Sequence, residues 1–304
     1  MAHEDLARSL AGVVAITVTP FADDDTIDET AYVKLVDRLV GGGIPVVTPN
    51  GNTSEFYTLA PAETERAVEL TVRTADGRAA VLAGVGHDVA TAIAAARFAL
   101  RAGADGIMVH QPVHPYVSLD GWVDYHRAIA DAVPELGVVL YIRTPRIGGA
   151  QLATLAEACP NVVGVKYAVP DPVRFAIVAR DAGIHRFTWV AGSAELSAPG
   201  YFAVGARGFT SGLANVNPEL SLRMFAALST QDYVAAMRVW ELVRPFEELR
   251  AADESANNVS VVKEALAQLG LCHRGIRPPS SPLRPIEQHQ IAAILRSWGL
   301  RDKS

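Results

Sequence analysis

The chain has 304 residues, 50% of them hydrophobic and 20% charged, with 27 basic against 33 acidic side chains and a formal charge of −6. That balance describes a soluble, enzyme-sized chain without the clustered Lys and Arg that phosphate backbones or anionic membranes require, so neither nucleic acid nor membrane is an expected partner. No run approaches the roughly 18 apolar residues of a spanning helix, and MAHEDLARSLAG opens with acids rather than a basic patch and an apolar block. A cytoplasmic location is expected.

Apolar runs rich in Val and Ile recur through the first 210 residues, each short enough for a strand and followed by a longer stretch of helical period. Eight are read: 12–18, 44–48, 79–85, 104–109, 137–142, 162–166, 187–191 and 205–210. Near-continuous apolar character is what a strand buried on both faces requires. Between them, Asp88 and Gly103 bracket one helix as N-cap and left-handed C-terminal residue. Asp171-Pro172 and Asn217-Pro218 are cap-plus-first-turn pairs, and Asp120 to Val133 reads as an amphipathic helix stopped by Pro134. Eight strand–helix units predict a closed parallel (β/α)8 barrel over 1–225. An open doubly wound sheet would more often open its first helix with a GxGxxG loop, which TPFADDD is not. The segments 230–251, 257–270 and 284–298 are helical without intervening strands, and predict a C-terminal helical region over 226–304. Cys159 and Cys272 stand far apart without a CxxC partner, so plain core or surface thiols are expected, with neither a zinc site nor a disulfide framework.

In such a barrel the chemistry lies at the C-terminal strand ends. Lysine is scarce: Lys34, Lys166, Lys263 and Lys303 are the only four among the 27 basic residues. Lys34 and Lys263 read as exposed helical positions and Lys303 as part of the terminal tail. Lys166 instead ends the buried run NVVGVKY. Desolvation there disfavours the charged form and exposes the amine lone pair as a nucleophile toward a carbonyl; the rival reading is a lysine that snorkels to solvent or pairs with a carboxylate. Tyr141 ends the preceding strand, where a phenol can shuttle the protons that imine formation needs. Gly51-Asn52-Thr53-Ser54-Glu55 follows strand two, and its backbone N–H groups can form a concave site for a carboxylate. His110 and His114 are separated by a proline-broken segment and lack an evident third ligand, so no metal is expected. His87, at the end of strand three, is expected to hydrogen-bond near the mouth rather than react.

Together these residues resemble the dihydrodipicolinate synthase and N-acetylneuraminate lyase family of class I, Schiff-base-forming aldolases and dehydratases. The resemblance rests on VTPF at 18–21, GNTSE at 51–55, LY at 140–141, GVK at 164–166, GARGFTSGLANVNPE at 205–219 and RPPSSPL at 277–283. It implies a homotetramer of (β/α)8 barrels, no organic cofactor or metal, and a 2-oxo acid substrate with an aldehyde or sugar-acid partner. Carried over by position, Lys166 would form the imine and Tyr141 would move protons. Gly51, Asn52, Thr53 and Ser54 would surround the 2-oxo acid carboxylate, Arg146 would take an anionic group of the second substrate, and Thr210 and His114 would line the same site. Arg143 competes with Arg146 for that anion.

Three departures from the family pattern stand out. Asn52 replaces a usual threonine, Ile142 a usual asparagine, and His114 or Tyr116 stands where a neighbouring subunit's tyrosine is expected. The leading expectation is therefore a Schiff-base lyase acting on pyruvate or a related 2-oxo acid. The alternatives are an authentic 4-hydroxy-tetrahydrodipicolinate synthase, a 2-keto-3-deoxy sugar acid aldolase or dehydratase, and a non-catalytic 2-oxo acid binding protein.

Overall fold

The computed structural model describes residues 2–300; Lys303 lies outside the described residues. Helix α1 (Ala2–Leu10) precedes β1 (Val13–Ile16), and α2 (Glu29–Gly41), β2 (Val46–Thr48), α3 (Pro61–Ala75) and β3 (Ala80–Val85) follow. The chain continues through α4 (Val89–Ala102), β4 (Gly106–Val109), α5 (Leu119–Asp131), β5 (Gly137–Ile142), α6 (Gly149–Ala158) and β6 (Val162–Tyr167). It closes the repeat with α7 (Pro172–Asp181), β7 (Thr188–Ala191), α8 (Ala194–Val204), β8 (Gly208–Ser211) and α9 (Pro218–Ser229). Every strand is parallel to its neighbours and β8 pairs back onto β1, so the eight apolar runs form a closed (β/α)8 barrel. Beyond it, α10 (Tyr233–Ser255), α11 (Ser260–Gln268) and α12 (Pro285–Ser297) make a C-terminal helical extension.

The local signals act as their chemistry dictates. Asp88 accepts the Thr91 N–H at 3.0 Å, Asp171 the Arg174 N–H at 2.9 Å and Asn217 the Leu220 N–H at 3.3 Å, each satisfying a first-turn donor that has no intrahelical partner. Gly103 ends α4 at φ 91°. Helix α5 begins earlier than its sequence suggested, because the Ser118 hydroxyl, not Asp120, caps it through the Gly121 N–H at 3.0 Å. In α10 the backbone leaves helical geometry at Ala252, Asp253 and Glu254, so regular helix stops at the expected residue 251.

Strand residues alternate between two cores, as period-2 geometry requires. Val14, Ile16, Val46, Leu82, Met108, Val139, Tyr141 and Val190 fill the barrel interior, while Val13, Ala15, Val47 and Ala83 join the outer layer under the helices. Leu6 and Leu10 of α1 belong to the interior cluster, so this unanticipated helix packs its apolar face onto the barrel's inner core. Cys159 is buried and Cys272 half-buried, and neither forms a disulfide. Among the described residues no helix is long and apolar enough to cross a membrane.

Lys263 corrects one expectation. It is fully buried in α11 rather than exposed, its Nζ paired with the Glu55 carboxylate and donating to the Gly275 carbonyl at 2.8 Å. Val261, Val262, Ala265 and Leu266 surround it in sequence, and a helix apolar on all sides is a buried helix. That pattern was the available signal.

Candidate active site

Lys166 and Tyr141 are direct partners across the β5–β6 pair, and Val190 of β7 flanks Lys166 on its other side. Both polar side chains therefore turn into the interior at one level of the barrel. The Lys166 Nζ stands 4.1 Å from the centroid of the Tyr141 ring, and the residue is 4% exposed, which rules out snorkelling. Burial, then the charges of Arg143 and Arg250, pull its pKa down from the usual lysine value to about 7, with no carboxylate opposing them. Lys263 supplies the contrast: burial lowers its pKa too, but Glu55 opposes the shift and holds the charge. Lys166, with its pKa at about 7, presents a free amine near neutral pH, and among the described residues it has no carboxylate partner such as Glu55 gives Lys263.

Tyr141 is set up as an acid. Burial pushes its pKa up to about 12 against a smaller lowering by Arg143, so the phenol keeps its proton at neutral pH. Its oxygen accepts a hydrogen bond from Asn52 Nδ2 at 3.0 Å, while Asn52 Oδ1 is buried with no partner among the described residues. His110 meets the Tyr141 ring edge-on at 5.8 Å and stacks on Phe56 at 4.2 Å. Its Nε2 bonds the Asn50 carbonyl at 2.8 Å, and burial pulls its pKa down to about 3, so the imidazole is neutral.

The loop after β2 is a short helical turn, Asn52–Ser54, between two left-handed residues, Asn50 and Glu55, each at φ 60°. Gly51 is required by contact: a Cβ there would lie 2.3 Å from Ile16 Cγ2. Ser54 is fully buried; its hydroxyl donates to the Thr17 carbonyl at 2.5 Å and accepts the Gly51 N–H at 3.1 Å. Its side chain thus braces the turn, while Asn52 reaches the site and Thr53 sits buried between them. Glu55, left out of the candidate residues, fixes the turn to the C-terminal extension through Lys263 and the Arg277 N–H at 3.0 Å.

The remaining candidates divide. Thr210 lies inside the barrel on β8, its hydroxyl donating to the Gly192 carbonyl at 3.2 Å. His114 is exposed, its Nδ1 accepting the Tyr116 N–H at 3.1 Å. It shares a surface cavity with Arg146, Thr144, Gln111 and Trp122, and neither Lys166 nor Tyr141 lines that cavity. Arg143, not Arg146, is the loop arginine whose charge reaches Lys166 and Tyr141. His87 uses its carbonyl to accept the Tyr125 hydroxyl at 3.1 Å. Among the described residues no three His, Cys, Asp or Glu side chains cluster as metal ligands. Sequence reasoning passed over Arg250 and the buried Glu195 altogether.

Known proteins extend this picture. The family model described as the dihydrodipicolinate synthetase family matches residues 9–298. A 4-hydroxy-tetrahydrodipicolinate synthase from Phenylobacterium zucineum is 36% identical over 296 residues, 95% of this chain and 97% of its own. A probable 5-dehydro-4-deoxyglucarate dehydratase from Bradyrhizobium diazoefficiens is 30% identical over 301 residues, 97% of this chain and 95% of its own. The crystal structure of dihydrodipicolinate synthase from Bacillus clausii superposes with a TM-score of 0.93 at 41% identity, covering 97% of this chain and 99% of that one.

Proposed function

Because the chain belongs to the dihydrodipicolinate synthetase family of lyases, we propose that its Lys166 forms a Schiff base with pyruvate or a related 2-oxo acid. The supporting observation is a lysine that is buried, without a carboxylate partner among the described residues, and next to a protonated phenol. The neutral Nζ adds to the ketone carbon to give a carbinolamine. Tyr141 gives its proton to the carbinolamine hydroxyl, which leaves as water, and the imine nitrogen keeps one proton. The resulting phenolate is held by Asn52 Nδ2 and faces the iminium charge. It then removes a proton from the adjacent substrate carbon, which restores the phenol and leaves an enamine. The enamine then adds to an aldehyde, whose oxygen takes the Tyr141 proton, or expels the hydroxyl of the next carbon, which leaves as water with that proton; hydrolysis of the resulting iminium returns a proton to Tyr141 and frees the Lys166 amine.

Thr53 and the opening N–H groups of its turn take the carboxylate, since first-turn donors lack intrahelical acceptors. An amide cannot pass a proton along as a hydroxyl can, so Asn52 orients Tyr141 while Tyr141 exchanges protons with the substrate itself. The unpartnered Asn52 Oδ1 is available to a substrate hydroxyl, which favours a hydroxylated 2-oxo acid over bare pyruvate as the physiological substrate. Arg143 is better placed than Arg146 to meet a distal anion. The chain is also read as a homotetramer, with support from Tyr116, 87% exposed, and from Val173 and Ile177 one turn apart on α7 at 71% and 57% exposure; sedimentation velocity measures it.

The function is tested by offering the protein pyruvate with short aldehydes, and separately a 4-deoxy-5-oxo sugar diacid, with Lys166→Met as control. Turnover of either set by the parent protein alone is expected. Turnover that survives in Lys166→Met contradicts the reading.

A further inference from the structure

The turn after β2 carries its donors on a short stretch of backbone. The Gly51 N–H donates to the Ser54 hydroxyl at 3.1 Å, the Ser54 N–H to the Gly51 carbonyl at 3.0 Å and the Glu55 N–H to the Asn52 carbonyl at 3.1 Å. Two successive amides, those of Asn52 and Thr53, have no acceptor among the described residues. They are the donors left for a substrate carboxylate, and their direction depends on what holds the turn.

It is held from two sides. From the loop after β1, the Thr19 hydroxyl donates to the Ser54 carbonyl at 2.9 Å, and Thr17 offers its carbonyl to the Ser54 hydroxyl at 2.5 Å. On the other side stands Glu55, whose φ of 60° is a left-handed conformation that glycine adopts at less cost than any residue with a Cβ. A long side chain is kept there nonetheless, and the C-terminal extension takes both of its oxygens. One pairs with the Lys263 Nζ, and the other accepts the Arg277 N–H at 3.0 Å. Lys263 is fixed in turn by the Gly275 carbonyl at 2.8 Å and by the Phe21 ring, 4.1 Å from its Nζ. Glu55 is 5% exposed and Lys263 is fully buried, so salt screens this link little. The turn also reaches Tyr141 through Asn52 Nδ2 at 3.0 Å, and therefore borders the Lys166–Tyr141 pair.

We propose that Glu55 is a positioning residue for the 2-oxo acid carboxylate: clamped by Lys263 and the Arg277 amide, it aims the Asn52 and Thr53 N–H groups at the carboxylate of a substrate bound to Lys166. The extension thereby sets the preference of the barrel for acids over neutral ketones without touching the substrate. This rests on the Schiff-base reading of Lys166 and on the turn as the carboxylate site.

The test compares two ligands with the same ketone. Cyanoborohydride trapping on Lys166 is followed by mass against the concentration of pyruvate and, separately, of methyl pyruvate, which lacks the carboxylate charge. Glu55→Leu/Lys263→Met leaves neither member of the pair buried alone. Glu55→Gly/Lys263→Met does the same with a residue that accepts φ 60° freely, and it decides the matter if the leucine variant does not fold. The pyruvate concentration for half-maximal trapping is expected to rise about tenfold, the loss of one hydrogen bond to a charged group, while that for the ester moves by less than about twofold. A fold that is merely weakened loses both ligands alike. Equal changes for acid and ester, or no change in either, in a variant whose circular dichroism matches the parent's overturn the inference. Failure of the parent protein to trap either ligand on Lys166 refutes the Schiff-base reading itself. A parent that half-saturates equally with both removes the turn as the carboxylate site and the inference with it, whereas a preference for pyruvate that survives in the variants refutes only the role of Glu55.

Discussion

Lys166 is placed against its own stability. Its pKa is about 7 in the folded chain and about 10.5 when the chain is unfolded, so between those values only the unfolded state binds the extra proton. Through this group stability rises with pH from about 7 to 10.5, and the burial penalty is felt in full below about 7. Lys166→Met is therefore expected to abolish turnover while stabilising the fold at pH 6, with the gain shrinking toward pH 10. Thermal unfolding of the two proteins across that range measures it, and a Met variant less stable than its parent at pH 6 would refute the assigned burial. For Tyr141 the expectation is split. Tyr141→Phe should lower turnover about 10²–10⁴-fold, the range for loss of a general acid–base, yet still give a pyruvate adduct, because the amine is untouched. Lys166 was legible in the sequence because a charged residue ended a run that had to be buried. The partner of Tyr141 was harder to read: Asn52 is 89 residues away, and only the closed barrel brings them together.

At the scale of elements, the turn after β2 depends on a pair that spans the chain. Glu55 and Lys263 are 208 residues apart and both lie out of solvent. Removing one partner leaves the other charged and desolvated, a loss of about 3–5 kcal/mol. Glu55→Gln and Lys263→Met should each show it in urea unfolding, while the double variant Glu55→Leu/Lys263→Met should recover much of the loss, and simple additivity of the two would contradict the pairing. Strands and caps were readable because their signals are local: apolar runs for the barrel, Asp88, Asp171 and Asn217 for helix starts. Helix α1 escaped because it is short and mostly polar, and only Leu6 and Leu10 show which face is buried. Lys263 escaped because its partner belongs to a different element at the far end of the chain.

Across the whole molecule, the extension joins the barrel through buried charge rather than apolar packing alone. Besides Lys263, Arg277 donates to Glu63 at 2.7 and 2.8 Å and to Asp25 at 3.2 Å, and its guanidinium lies 4.1 Å over Phe21. Glu195 adds a pH signature. Its carboxyl accepts the Ser211 and Ser221 hydroxyls at 2.6 Å each, and burial with Glu247 nearby raises its pKa from 4.5 to about 7. Between those values the folded state holds the proton and the unfolded state does not, so this group's stabilisation is lost as pH rises from 4.5 through about 7. Glu195→Gln should remove that slope: its stability relative to the parent improves as pH rises over the same window, and a difference independent of pH would contradict a buried, protonated Glu195. The barrel and the buried lysine at the end of β6 followed from sequence pattern, whereas the docking of the extension onto the turn after β2 depends on contacts between residues far apart in the chain and required coordinates.

The most direct measurement is to incubate the protein with pyruvate and with longer 2-oxo acids, reduce with borohydride, and map the added mass by peptide. A single adduct on the peptide containing Lys166, absent from Lys166→Met, is the expected result. No adduct with any 2-oxo acid, or an adduct on Lys263 or Lys34 instead, would contradict the assignment of Lys166 as the imine-forming amine.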